Sequence, residues 1–108
     1  MGSSASADLG RFAEPALLVL VSLTDGPRHG YAIMTDVETF AGSGLGPGTL
    51  YAVLARLEQA GYIEPLESDD RRRPYRITEA GRAAVAEQLE RMERFVRVGR
   101  LRARRTDG

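Results

Sequence analysis

The chain has 108 residues, with fifteen arginines, fifteen carboxylates, one histidine, no lysine and no cysteine. That length holds one domain, and an apolar fraction of 43% is enough for a packed core. The missing cysteines exclude disulfides and thiolate metal sites, and a lone histidine cannot build a metal cage. No metal and no cofactor are therefore expected. The zero net charge hides an asymmetry. Residues 1–70 carry three arginines against ten carboxylates, and residues 71–108 carry twelve against five. Basic surface is thus confined to the later elements, and arginine is the better fork for phosphate and guanine edges.

Taken in order, residues 1–8 are expected to be flexible, with Asp8 capping a first turn that carries Leu9 and Phe12. Pro15 suits the first position of a helix running to Leu23. Its apolar run, Ala16–Leu23, is eight residues broken by Ser22. That is far too short for a membrane span, and it lacks the basic region and cleavage site of a signal peptide. The chain is expected in the cytoplasm, away from membranes. Periodicity alone leaves a buried strand open as the alternative for this run. A helix so apolar needs cover on more than one side, and a partner subunit can supply it.

Thr24-Asp25-Gly26-Pro27 is a turn by composition. His29–Ala41 reads as a second helix with Ile33, Met34, Val37 and Ala41 on one face, and Gly42-Ser43-Gly44 breaks it. A third helix starts at Pro47, where the missing N–H is not needed, and stops before Gly61. Leu50, Val53, Leu54 and Leu57 form its apolar stripe. Outside that stripe lie Gly48, Thr49, Tyr51 and Ala52 on the first turn, followed by Arg56. Small and hydrogen-bonding groups at an exposed N-terminal turn suit entry into a DNA groove.

Tyr62–Ser68 and Pro74–Thr78 read as two short strands joined by a polar turn containing Arg71-Arg72-Arg73, with Pro65 marking an edge. Thr78 is a natural N-cap for a last helix from Glu79 to about Arg104, roughly 39 Å at 1.5 Å per residue. Val85, Leu89, Met92, Val96, Gly99 and Ala103 step by four and three, a coiled-coil-like seam widened by Phe95 and Val98. A basic amphipathic helix of this kind can also lie on a membrane, but its narrow seam fits helix pairing better. The parts of an enzyme are missing: GSGLGPG lacks the lysine and strand context of a phosphate loop. The fold expected is mainly α with a small β-hairpin, a winged helix-turn-helix over residues 9–78 and a long dimerisation helix over 79–108.

The series HGYAI, GTLYAVLARLEQAGYI and PYRITEAGR, together with LLVLVSL and DGPRHG, resembles the PadR family of bacterial transcriptional regulators over about Phe12 to Arg82. The joint occurrence of the three longer motifs is much more specific than any one. The resemblance implies a homodimer that binds a palindromic operator in double-stranded DNA, usually as a repressor, and pairs through its C-terminal helix. Asp70-Arg71-Arg72-Arg73-Pro74 departs from the family's wing by lacking a glycine in the turn.

On this reading His29, Tyr31, Gly48, Thr49, Tyr51, Arg56, Arg71, Arg72, Arg73 and Tyr75 contact DNA, with Thr49 and Tyr51 foremost. The blander roles are that Thr49 only caps its helix, Tyr51 only packs on the wing, His29 only orients the second helix, and the arginines are solvated. Leu17, Val85, Leu89, Met92, Phe95 and Val96 are the expected dimer contacts. Leu9, Phe12, Met92, Phe95 and Val96 either line a pocket for a small-molecule effector or simply fill the interface. The alternative function is a winged-helix dimer that acts as a protein-interaction module without operator binding.

Overall fold

A rigid proline at the first turn and an unbroken apolar run produce the first element, α1 (Pro15–Leu23). The run is a helix rather than a strand. In the computed structural model, residues 15–69 and 71–105 are described, so the expectations for Asp8, Leu9 and Phe12 lie outside the described residues. Val19, Leu20, Ser22 and Leu23 of α1 are buried, and Ala16, Leu17, Leu18 and Val21 are partly buried against the same core. The helix is covered on several sides, as its all-round apolar character requires: α2, α3, α4 and the hairpin all pack on it.

The second helix, α2 (Gly30–Ala41), starts one residue later than its pattern predicts because His29 is its cap. His29 is extended, with φ −82° and ψ 167°, and its Nδ1 accepts from the Ala32 amide at 3.4 Å. The helix buries Ile33 and Val37 and ends at Gly42, whose φ of +76° lets its N–H reach the Glu38 carbonyl at 3.2 Å. Helix α3 (Pro47–Gln59) buries the predicted stripe Leu50, Val53, Leu54 and Leu57. Gly61, at φ +82°, ends it with paired bonds: its own N–H to the Glu58 carbonyl at 3.1 Å and the Tyr62 N–H to the Leu57 carbonyl at 3.0 Å. This is the Schellman arrangement that a glycine after a helix permits.

The strands β1 (Ile63–Pro65) and β2 (Tyr75–Ile77) pair antiparallel, with Ile63 opposite Ile77, Glu64 opposite Arg76 and Pro65 opposite Tyr75. Both are shorter than the alternating pattern predicts. Pro65 and Pro74 have no N–H to donate, and beyond Tyr75 the strands are joined by the bond from the Leu66 amide to the Pro74 carbonyl, 2.8 Å. Arg28 extends the sheet on its other side. Its N–H and C=O exchange bonds with Tyr75 at 3.1 and 2.9 Å, so the turn before α2 is stitched to the hairpin.

Helix α4 (Glu79–Arg105) begins as its sequence predicts. Thr78 Oγ1 accepts from the Gly81 amide at 3.1 Å and donates to the Gly61 carbonyl at 2.7 Å, which fixes the helix against the end of α3. Gly81 is buried where α4 crosses the hairpin, and a Cβ there would collide with the Tyr62 carbonyl and sit 2.7 Å from Ile77 Cγ1. Arg82 ties the same turn to α1, donating to the Thr24 carbonyl at 3.3 Å. After Val85 the helix leaves the core, and every residue from Leu89 to Arg105 is exposed. The described residues extend 62 Å along their longest axis, against 30 and 21 Å across. No helix of the described residues is long and apolar enough to cross a membrane.

Candidate nucleic-acid interface

The start of α3 is uncapped by any side chain. Gly46 holds the N-cap position, and Pro47 follows it. The first bond inside the helix is from the Leu50 amide to the Gly46 carbonyl, 2.9 Å. An α-helix leaves its first amides without intrahelical partners, so Gly48 and Thr49 present N–H groups outward at the positive end of the helix dipole. Both residues are exposed. Thr49 stands in the third position of the helix rather than at its cap, and capping is not its role.

The stitch between Arg28 and Tyr75 sets the next feature. By joining the hairpin to the turn before α2, it brings the wing against the starts of α2 and α3. The result is a cleft of about 420 Å³ lined by His29, Gly30, Tyr31, Tyr51, Arg71, Arg72, Arg73 and Tyr75. Seven of the ten residues that sequence reasoning assigned to DNA meet there. Tyr31 and Tyr51 are 67% and 57% exposed, large aromatic rings left open to solvent. All three arginines are exposed. Tyr51 lies over the first turn of α2: a Cβ at Gly30 would be 3.0 Å from its hydroxyl and 3.4 Å from its Cε1. Glycine at position 30 is what allows the ring to sit so close.

Gly48 and Thr49 lie one turn or less from Tyr51 on α3, beside this cleft. Arg56 stands apart. It lines a separate hollow with Pro15, Ala16, Val53, Leu57 and Ala60, between α3 and the start of α1. The structure therefore does not gather Arg56 with the other candidates. Within the wing, Glu67, Ser68 and Asp69 line a second hollow together with Arg71 and Arg73, so the tip carries both signs of charge.

Sequence reasoning missed two residues that build the cleft. Arg28 is a clamp: Nε donates to the Ser22 carbonyl at 3.0 Å, and the guanidinium lies 3.6 Å from Asp25 and 3.7 Å from Asp36. It locks the turn between α1 and α2 while its backbone pairs with Tyr75. Gly30 is the seat of Tyr51. No local pattern marks either, because both roles come from segments distant in sequence. Arg76 and Glu64 face each other across the hairpin and form an ion pair on its exposed side.

The expected dimer residues divide into two groups. Val85 is only 6% exposed and belongs to the chain's own core, and Leu17 is half-buried beside it. Leu89, Met92 and Val96 share one open face of α4. Phe95, 79% exposed, points away from that face. The seam open to a partner thus starts at Leu89, one step later than the spacing implied. Among the described residues no cluster of histidine and carboxylate side chains could hold a metal ion.

Comparison with known proteins agrees with this architecture. The profile of the Transcriptional regulator PadR-like family matches residues 19–87. The chain is 45% identical over 85 residues to a 37.1 kDa protein in transposon TN4556 of Streptomyces fradiae, a match spanning 79% of this chain and 25% of that protein. The chain thus spans about a quarter of that relative's length. It is 40% identical over 84 residues to Transcriptional regulator Rv3488 of Mycobacterium tuberculosis, covering 75% of this chain and 78% of that one. Among solved structures, a PadR family transcriptional regulator from Eggerthella lenta superposes with a TM-score of 0.76 at 28% identity, covering 92% of this chain and 89% of the other. Three helices, a two-stranded wing stitched to the second of them and a long C-terminal helix, joined to this breadth of sequence likeness, make the chain a member of the PadR-like family of transcriptional regulators.

Proposed function

We propose that the chain binds double-stranded operator DNA as a homodimer and acts as a repressor. The observation that carries this reading is the cleft. The uncapped first turn of α3 stands beside it, and the first turn of α2, three tyrosines and three wing arginines line it. Each component suits a nucleic acid. The outward amides of Gly48 and Thr49 are donors for phosphate or base edges. The hydroxyl of Thr49 reads bases, and Tyr31, Tyr51 and Tyr75 hold the backbone. The arginines neutralise phosphates or enter a narrow minor groove. The buried stripe of α3 leaves little else on that helix free to read sequence. Much of the affinity therefore comes from the wing.

The homodimer forms through the open face of α4 at Leu89, Met92 and Val96. Two subunits related by a two-fold axis would present their α3 helices to the half-sites of a palindrome. An effector, where one acts, binds on that α4 face between subunits, the region to which Met92 and Val96 belong.

The test is a gel shift with a duplex enriched from a random library on the purified protein. Thr49→Ala combined with Arg71→Ala, Arg72→Ala and Arg73→Ala should weaken binding by at least about 100-fold, since each direct interaction with DNA is worth about 1–3 kcal/mol. Unchanged affinity in that variant overturns the DNA-reading assignment and favours a protein-interaction module.

A further inference from the structure

The outward side of α3 is bare along its centre. Leu50, Val53, Leu54 and Leu57 are buried. At 3.6 residues per turn, the row on the far side of the helix from them is Gly48, Ala52, Ala55 and Gln59. All four are exposed. The row thus offers a hydrogen, two methyl groups and, in the last turn, an amide. Larger groups stand on its flanks, Tyr51 on one side and Thr49 and Arg56 on the other.

Neither packing nor backbone conformation demands this bareness. A Cβ at Gly48 would meet nothing within 4 Å, and the residue sits in ordinary α-helix. Exposed alanine is the best helix former, which alone would account for Ala52 and Ala55. Glycine is the poorest after proline, so helix propensity does not account for the whole row. A row of one hydrogen and two methyls lets the helix axis come close to whatever it faces. The neighbours indicate what that is. Tyr51 and the wing arginines line the cleft beside the row, and such groups suit phosphate.

A helix in the major groove distinguishes bases by the groups they expose there. Guanine is read by arginine or lysine, adenine by asparagine or glutamine, and cytosine by a carboxylate. Thymine is read by apolar contact with its 5-methyl group. From Pro47 to Ala55, α3 has no side chain of the first three kinds. Arg56 lines the separate hollow with Pro15 and Ala16. Gln59 stands at the opposite end from the N-terminal residues that contact base edges. Thymine is the base that remains.

Resting on the DNA-binding reading above, we propose that Ala52 and Ala55 are specificity-determining residues. Each half-site presents thymine to α3, and the thymine 5-methyl groups pack on the two alanine methyls. Thr49 adds its hydroxyl from the flank. Selectivity is then for a methyl group more than for a pattern of donors and acceptors. It discriminates modestly, since one buried methyl is worth a factor of about four in binding, and it leaves the wing to supply affinity.

The experiment starts from a duplex enriched from a random library on the full chain. Its thymines are replaced by deoxyuridine, which lacks only the 5-methyl, one symmetric pair at a time. Affinity is read by fluorescence anisotropy. At one or two positions in each half-site the loss should be about fourfold per methyl. The same replacement should cost less in Ala52→Gly or Ala55→Gly, at the position which that alanine covers. The ratio is taken within one protein, so any weakening of the helix by glycine cancels. At such a position 5-methylcytosine should bind tighter than cytosine, because it restores the methyl. An enriched half-site without thymine overturns the proposal while leaving operator binding intact. So does an affinity indifferent to every deoxyuridine, or a loss equally large in both glycine variants. Failure to enrich any duplex overturns the DNA-binding reading itself.

Discussion

Gly30 illustrates how one missing side chain shapes the interface. The Tyr51 hydroxyl occupies the space a Cβ would need, at 3.0 Å, with Leu50 Cδ2 at 3.4 Å. Tyr51 is 57% exposed and free to move aside, so Gly30→Ala should cost little stability. A change within about 1 kcal/mol is expected, because alanine also stiffens the helix start. Its effect should fall on DNA. With the ring displaced from the cleft, affinity should drop several-fold while the melting temperature stays nearly constant. Equal affinity in anisotropy titrations would show that the seat of Tyr51 has no part in binding. His29 is legible at this scale only in part. Its type and place before a helix pointed to orientation, and the hydrogen bond from the Ala32 amide bears that out. Its place in the cleft depends on a wing more than forty residues away, which no local pattern reveals.

At the scale of elements, junctions matter more than interiors. The helices follow from apolar period and punctuation: Pro15, Pro47, Gly42 and Gly61 stand where the helices begin and end. The strands were less legible, since alternation ran on past prolines that the ladder could not use. The α4 start is the tightest junction. Thr78 bonds both the Gly81 amide and the Gly61 carbonyl, and Gly81 lets α4 press on the Tyr62 backbone. Gly81→Ala forces a Cβ against a carbonyl oxygen rather than a flexible side-chain tip. It should destabilise the fold by about 1–3 kcal/mol, as overpacking typically does. Denaturant unfolding that shows no loss of stability would mean that α4 can pivot away from the hairpin.

For the whole molecule, α4 divides into a half that belongs to the core and a half that leaves it. The heptad-like spacing runs without a break from Val85 to Ala103, so the spacing alone does not say where packing on the chain's own core ends. That limit is set by tertiary structure: the chain's own core covers Val85, 6% exposed, and leaves Leu89 43% exposed. Two substitutions of the same kind should therefore behave differently. Val85→Glu buries an unpaired charge and should unfold the chain or nearly so. Val96→Glu should leave the melting transition of the subunit in place and yield monomers in light scattering. A dimer that survives Val96→Glu would contradict the assignment of this face. The charge asymmetry likewise became informative only once the elements were placed. The basic half of the sequence separates into a wing beside the first turns of α2 and α3 and a helix end reaching away from the core.

On the proposed function, wing arginines and the start of α3 hold DNA together. The most direct measurement is the slope of log affinity against log salt, by fluorescence anisotropy with one duplex, for the native chain and for Arg71→Ala/Arg72→Ala/Arg73→Ala. Both proteins are to be held well above the concentration at which the native dimer dissociates. Each phosphate left without its arginine should lower the magnitude of the slope by about 0.9, counted on both subunits. A drop of at least about 2 is therefore expected, with affinity falling at every salt concentration. Parallel lines of equal slope would mean that the arginines of the wing touch no phosphate and that the proposed interface is wrong.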